Sequence, residues 1–64
     1  MDRKLKLMEL ISGMVSGKDN SVMAETLRFE ASQEGFREDE LERLLNELRS
    51  DGMIREQEGK ILMF

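Results

Sequence analysis

Three observations predict a small, mainly helical α+β fold. Leu41, Leu44, Leu45 and Leu48 repeat at i, i+3, i+4, i+7, which places them on one face of a helix. Asp51-Gly52 follows the last of them, where glycine suits the left-handed position after a helix end. Met53-Ile54 and Ile61-Leu62-Met63-Phe64 then flank Gln57-Glu58-Gly59-Lys60, two apolar runs around a glycine turn. A helix running straight into a terminal hairpin is the second half of a winged helix-turn-helix. In that fold three helices precede a C-terminal β-hairpin wing, and the third helix is the recognition helix.

The first helix is expected from about Asp2 to Val15. Leu7, Leu10, Ile11, Met14 and Val15 form its apolar stripe, and Leu5 and Met8 widen it. Asp2 suits the N-cap, its carboxylate accepting from the free N–H groups of the first turn. Gly13 weakens the last turn by about 1 kcal/mol relative to alanine, and Gly17 is the expected stop. This helix begins almost at residue 1, as it could in a small natural protein and more as it would in a domain excised from the C-terminus of a longer protein, with Met1 supplied for expression.

Lys18-Asp19-Asn20-Ser21 reads as a polar loop, and Ser21-Val22-Met23 as a short strand added to the hairpin. A second helix follows over about Met23 to Glu34, with Ala24, Leu27 and Ala31 on its buried side and Gly35 ending it. The short break before the third helix makes a helix-turn-helix. Arg37 is the expected N-cap of that helix. Phe36 and Leu41 then pair as a hydrophobic staple, and Glu40 is placed to reach back to the cap N–H. Glu38, Asp39 and Glu40 fill the first turn, where the helix dipole favours negative charge. The expected core is Leu7, Ile11, Val15, Leu27, Ala31, Phe36, Leu41, Leu44, Leu45, Leu48, Ile54 and Leu62, with Phe64 added and the methionines as pliable filler.

Composition bounds the function. The 64 residues suffice for one domain, 1–64, with one core, and a chain this size buries only ~60% of its unfolded surface. With no cysteine and no histidine, the sequence has neither a disulfide nor a Cys/His metal site, and no nucleophile–base pair assembles. No catalytic residue, cofactor or metal ligand is expected. The carboxylates Glu38, Asp39, Glu40 and Glu42 read as a dipole-complementing first turn; calcium loops need ligands on an irregular loop with a glycine turn. Gly13-Met14-Val15-Ser16-Gly17-Lys18 is one residue short of a phosphate loop, and Asp19 stands where Ser or Thr belongs. No apolar run approaches the ~20 residues of a membrane span. Charge is high and mixed, net −4, which fits an intracellular, cytoplasmic domain.

The charges also bear on nucleic acid. A groove-reading helix needs Arg, Lys, Asn or Gln outward, and phosphate contacts need net positive charge. The third helix offers Glu38, Asp39, Glu42, Glu47 and Asp51 against Arg43, Asn46 and Arg49; the wing mixes Arg55 and Lys60 with Glu56 and Glu58. The clearest basic run, Arg3, Lys4 and Lys6, lies on the first helix and reads either as a solvated face or as a second candidate patch. Phe29 lies about 140° or more from the Ala24/Leu27/Ala31 stripe at 100° per residue. Two readings stand for it: packing against the wing or first helix, or an exposed anchor for a protein partner. The candidate partner surface is Glu42, Arg43, Asn46, Glu47, Arg55 and Lys60, with Phe29.

Ala31-Ser32-Gln33-Glu34-Gly35-Phe36, Leu41 through Leu48, then Asp51-Gly52-Met53-Ile54-Arg55-Glu56 and Gly59 together resemble one family. It is the C-terminal winged-helix domain of archaeal minichromosome maintenance (MCM) replicative helicases. The likeness runs from the second helix to the end of the chain. Arg55 stands where the family commonly has Tyr, and Gln57 where Pro is common. The resemblance implies a regulatory, protein-interaction domain of a hexameric, ATP-dependent DNA helicase whose ATPase residues lie in other domains. It implies origin-recognition or loader proteins, or the helicase ring itself, as partners; the charges separately predict DNA binding that is weak and non-specific at most, and the isolated domain is expected to be monomeric with no membrane partner. The alternative is the DNA-binding domain of a small winged-helix transcriptional regulator. A much longer parent reading frame carrying Walker motifs would separate the two.

Overall fold

The computed structural model describes residues 2–64, and Met1 lies outside them. The elements run α1 (Arg3–Met14), β1 (Ser21–Met23), α2 (Ala24–Gln33), α3 (Glu38–Ser50), β2 (Ile54–Gln57) and β3 (Lys60–Met63). Three helices thus combine with one three-stranded antiparallel sheet of order β1-β3-β2.

Asp2 caps α1 as expected, accepting from the Lys4 N–H at 3.0 Å. The helix stops earlier than Gly17. Val15 already turns extended, with its N–H still bonded to the Ile11 carbonyl at 2.9 Å. Ser16 and Ser21 then exchange backbone bonds of 2.9 and 3.0 Å. Gly17 therefore opens the turn beneath this bridge and does not end the helix.

α2 and α3 end in the same way. The Phe36 N–H reaches the Ala31 carbonyl at 3.0 Å and the Gly35 N–H reaches Ser32 at 3.2 Å, with Gly35 at φ +89°. This is the pair of bonds that closes a helix on a left-handed residue, the conformation that glycine adopts without a Cβ clash. At the end of α3, Met53 bonds to Leu48 at 2.9 Å and Gly52 to Arg49 at 3.1 Å. The first of these turns delivers Phe36 to the core just ahead of α3, where it is buried with Leu41.

The hairpin turns on Glu58-Gly59, both at positive φ, the two-residue turn whose twist matches the strands. That turn fixes the register: Gln57 opposes Lys60 and Ile54 opposes Met63. On β1, Val22 opposes Ile61. Side chains alternate across a sheet, so Ile54, Ile61, Met63 and Val22 share the face toward the helices.

The core is Leu7 and Ile11 of α1, Leu27 and Ala31 of α2, Phe36, the four leucines of α3, and Val22, Ile54 and Ile61 of the sheet. Each fully buried Leu or Ile contributes roughly 1.5–3 kcal/mol of transfer free energy. Four expectations need correction. Ile61 takes the place of Leu62, which shares the outer face with Arg55 and is half-buried. Val15 is half-buried, since it belongs to the extended chain beyond the helix, and Val22 is buried in its stead. Phe64 is 72% exposed, because it follows the last paired residue on the outer face, with the Arg55 guanidinium 5.8 Å from its ring. Leu5, Met23 and Met53 are exposed, and of the methionines among the described residues Met8, Met14 and Met63 pack against the core.

Candidate functional site

The basic run of α1 is not a free cationic patch. The Arg3 guanidinium donates to the Glu40 carboxylate at 2.7 and 2.9 Å and to the Gly35 carbonyl at 3.0 Å, and lies 4.4 Å from the Phe36 ring. Lys4 donates to Asp51 at 2.7 Å and lies 3.5 Å from Glu47. Lys6 donates to the Glu34 carbonyl at 3.0 Å and sits 5.5 Å from the same ring. Spacings of one, two and three along α1 aim these side chains at both ends of α3 and at the α2 terminus. They clamp α1 onto the α2–α3 corner.

Glu40 was expected to complete a cap for its own helix. Its carboxylate hydrogen-bonds chiefly to Arg3, with the Arg37 N–H a lesser partner. The Arg3 bonds hold its carboxyl below the ordinary carboxylate range, opposed by partial burial and assisted by the charge of Arg3, the Arg37 N–H and the charge of Arg43. Because the folded-state value is the lower one, this contribution is present above the ordinary glutamate value of 4.5 and is lost as pH falls through the folded value. Glu40→Gln should therefore flatten the acid limb of stability below about pH 4.5. Urea midpoints measured from neutral pH downward check this. Parallel curves for parent and variant would show that Glu40 gains nothing from Arg3.

Glu42, Arg43, Asn46 and Glu47 all occupy the outer side of α3, but they face different neighbours. Glu42 pairs with Arg28 of α2. Arg43 pairs with Glu47 at 3.0 Å along the helix. Arg43, Asn46 and Glu47 line one shallow depression with Lys4, Ser50 and Asp51. Asn46 accepts from Arg49, whose guanidinium also reaches Glu56 of β2 at 3.1 Å. Arg55 crosses the Phe64 ring, and Lys60 lies 3.8 Å from Asp19 beside the β1 turn. Both hairpin cations are thus directed away from the α3 depression.

No family model, curated protein or solved structure matches this chain.

Phe29 is 62% exposed. The expectation that it packs on the hairpin or α1 fails, because α2 spends its opposite face, Leu27 and Ala31, on the core. Its ring instead borders a groove with Arg28, Ser32, Phe36, Glu38 and Leu41. Glu38 was read as a dipole partner and an acidic charge of the third helix, and Phe36 and Leu41 as core and staple, none of them as part of a groove. Helical spacing could not have found this groove, because Phe36 lies beyond the end of α2, past the left-handed Gly35. Among the described residues no group of three acidic side chains is arranged to hold a metal ion, and no helix is long and apolar enough to cross a membrane.

Proposed function

We propose that this chain is a winged-helix domain used for regulation through protein contacts, as expected of the C-terminal domain of an archaeal MCM helicase, and not for reading DNA. The order α1-β1-α2-α3-β2-β3, with β1 and β2 flanking β3, supports the winged-helix reading. The functional half rests on one observation. The helix that would enter a DNA groove exposes Glu38, Asp39 and Glu42, and both of its arginines, Arg43 and Arg49, are matched to carboxylates. A phosphate backbone approaching this face meets net repulsion, and neither arginine is released to it without breaking a pair.

Titrating duplex DNA into the chain tests the reading. A dissociation constant no tighter than about 10⁻⁶ to 10⁻⁴ M at physiological salt, insensitive to sequence, is expected. Nanomolar, sequence-selective binding would establish the transcription-regulator alternative instead. For the helicase assignment, removing the domain from its full-length parent should change ATPase or unwinding rates without abolishing them.

A further inference from the structure

The groove beside Phe29 has a chemistry of its own. At about 280 Å³ it falls below the ~300–1,000 Å³ of small-molecule sites and suits one or two side chains. Its apolar lining is the exposed Phe29 ring with the edges of the buried Phe36 and Leu41. Its polar groups are already engaged: the Ser32 hydroxyl donates to the Phe29 carbonyl at 2.7 Å, and Arg28 is held by Glu42. The two cations against the Phe36 ring are engaged as well, Arg3 by Glu40 and Lys6 by the Glu34 carbonyl, so what remains for an occupant is apolar surface and unpaired negative charge. Among the described residues Glu38, on the rim, has no cationic partner, and neither has Glu25, one helical turn before Phe29.

We propose that this groove, between α2 and the first half of α3, docks a basic amphipathic segment of a partner protein. One apolar side chain seats among Phe29, Phe36 and Leu41, and a Lys or Arg beside it meets Glu38 and Glu25. The proposal rests on the protein-interaction reading, keeps Phe29 as the anchor, and moves the charged part of the surface from the outer side of α3 and the wing to the α2–α3 corner. A large exposed aromatic beside a concave apolar surface has the form of an interface hot spot, and the unpaired rim carboxylates select the sign of the partner's charge. This chain carries one apolar–basic pair itself, Phe64 with Arg55 over its ring. A second copy using it would make a head-to-tail contact between two chains of net −4, against mutual repulsion.

The probe is a fluorescein-labelled peptide of repeating leucine and lysine pairs, with a leucine–glutamate peptide as its counterpart. The lysine peptide should bind and the glutamate peptide should not. Amide shifts of the unmodified chain should move around Phe29, Ser32, Phe36, Glu38 and Leu41. Phe29→Ala should weaken binding about tenfold. Glu38→Lys should weaken it as well. Glu9→Lys makes the same change in net charge on α1, outside the groove, and should stay within about twofold at physiological salt. Phe29, Glu38 and Glu9 are all exposed, so each variant should stay folded; Glu38→Lys, at the start of α3, should melt slightly lower because it opposes the helix dipole, and binding is compared well below its midpoint. Absence of binding, shifts centred elsewhere, or equal losses for Glu9→Lys and Glu38→Lys would overturn the proposal. So would concentration-dependent self-association that Phe29→Ala abolishes. A failed peptide experiment alongside weak DNA binding removes the groove alone, whereas selective DNA binding removes the protein-interaction reading.

Discussion

Leu48→Ala is expected to cost about 2–5 kcal/mol of folding stability. Leu48 is fully buried and lies one turn from Leu44 and Leu45 on the apolar face of α3. Its carbonyl also receives the Met53 N–H that closes the helix and starts β2. Truncation leaves a cavity that the neighbouring leucines fill only in part, so a packing loss adds to the transfer loss. At roughly 0.05–0.15 kcal/mol per residue, a domain of this length has roughly 3–10 kcal/mol in total. The variant should therefore be largely unfolded at physiological temperature if the parent lies near the lower figure. Leu45→Ala should behave alike, since Leu45 is buried on the same face. Leu62→Ala is the informative control. Leu62 is half-buried on the outer face of the sheet, and its truncation should cost distinctly less. Urea unfolding followed by circular dichroism reads all three. Equal midpoints for Leu48→Ala and Leu62→Ala would contradict the placement of the core.

The helices were legible because each carries a strong local signal. The leucine repeat of α3 leaves one face to bury, and Gly35 and Gly52 stand at positive φ where a helix end needs it. Asp2 is a capping residue and caps. The hairpin was legible from its glycine turn. The facing of β3 was not, since Ile61-Leu62-Met63-Phe64 is apolar throughout and shows no alternation. Only the two-residue turn, together with an inward Ile54, decides that Ile61 and Met63 face the helices. A shift of one position exchanges the two faces, which is why Leu62 and Phe64 were misplaced.

The candidate surface was less legible for a related reason. Sequence spacing gives the face of an element and not what approaches it. Arg3, Lys4 and Lys6 look like a patch along the chain, yet each finds an acceptor on another element. Glu42 and Glu47 share a helix side but answer to Arg28 and Arg43. Phe29 was identifiable as off the stripe; the groove that gives it a role required the corner set by Gly35 and Phe36.

Reversing both Glu42 and Glu47 to Lys should raise the affinity of the chain for duplex DNA. Each reversal adds two positive charges, taking the net charge from −4 to neutrality. The pairs broken, Arg28 with Glu42 and Arg43 and Lys4 with Glu47, are largely exposed and worth only ~0.2–1 kcal/mol each, and Lys4 keeps its bond to Asp51, so the fold should survive. Breaking them also releases Arg28 and Arg43 as cations beside the new lysines. If the two lysines each neutralise one phosphate, the logarithm of affinity should fall with the logarithm of salt at a slope near −1.8. That is roughly a tenfold loss between 50 and 200 mM salt, superimposed on the parent's own dependence. Affinity at low salt should rise by a comparable factor without sequence preference, since no base-reading side chain has been added. Fluorescence anisotropy with a labelled duplex over that salt range measures both quantities. An unchanged affinity and slope, with an intact melting curve, would show that the acidity of α3 is not what keeps this domain off DNA, and the charge argument for a protein partner would lose its footing.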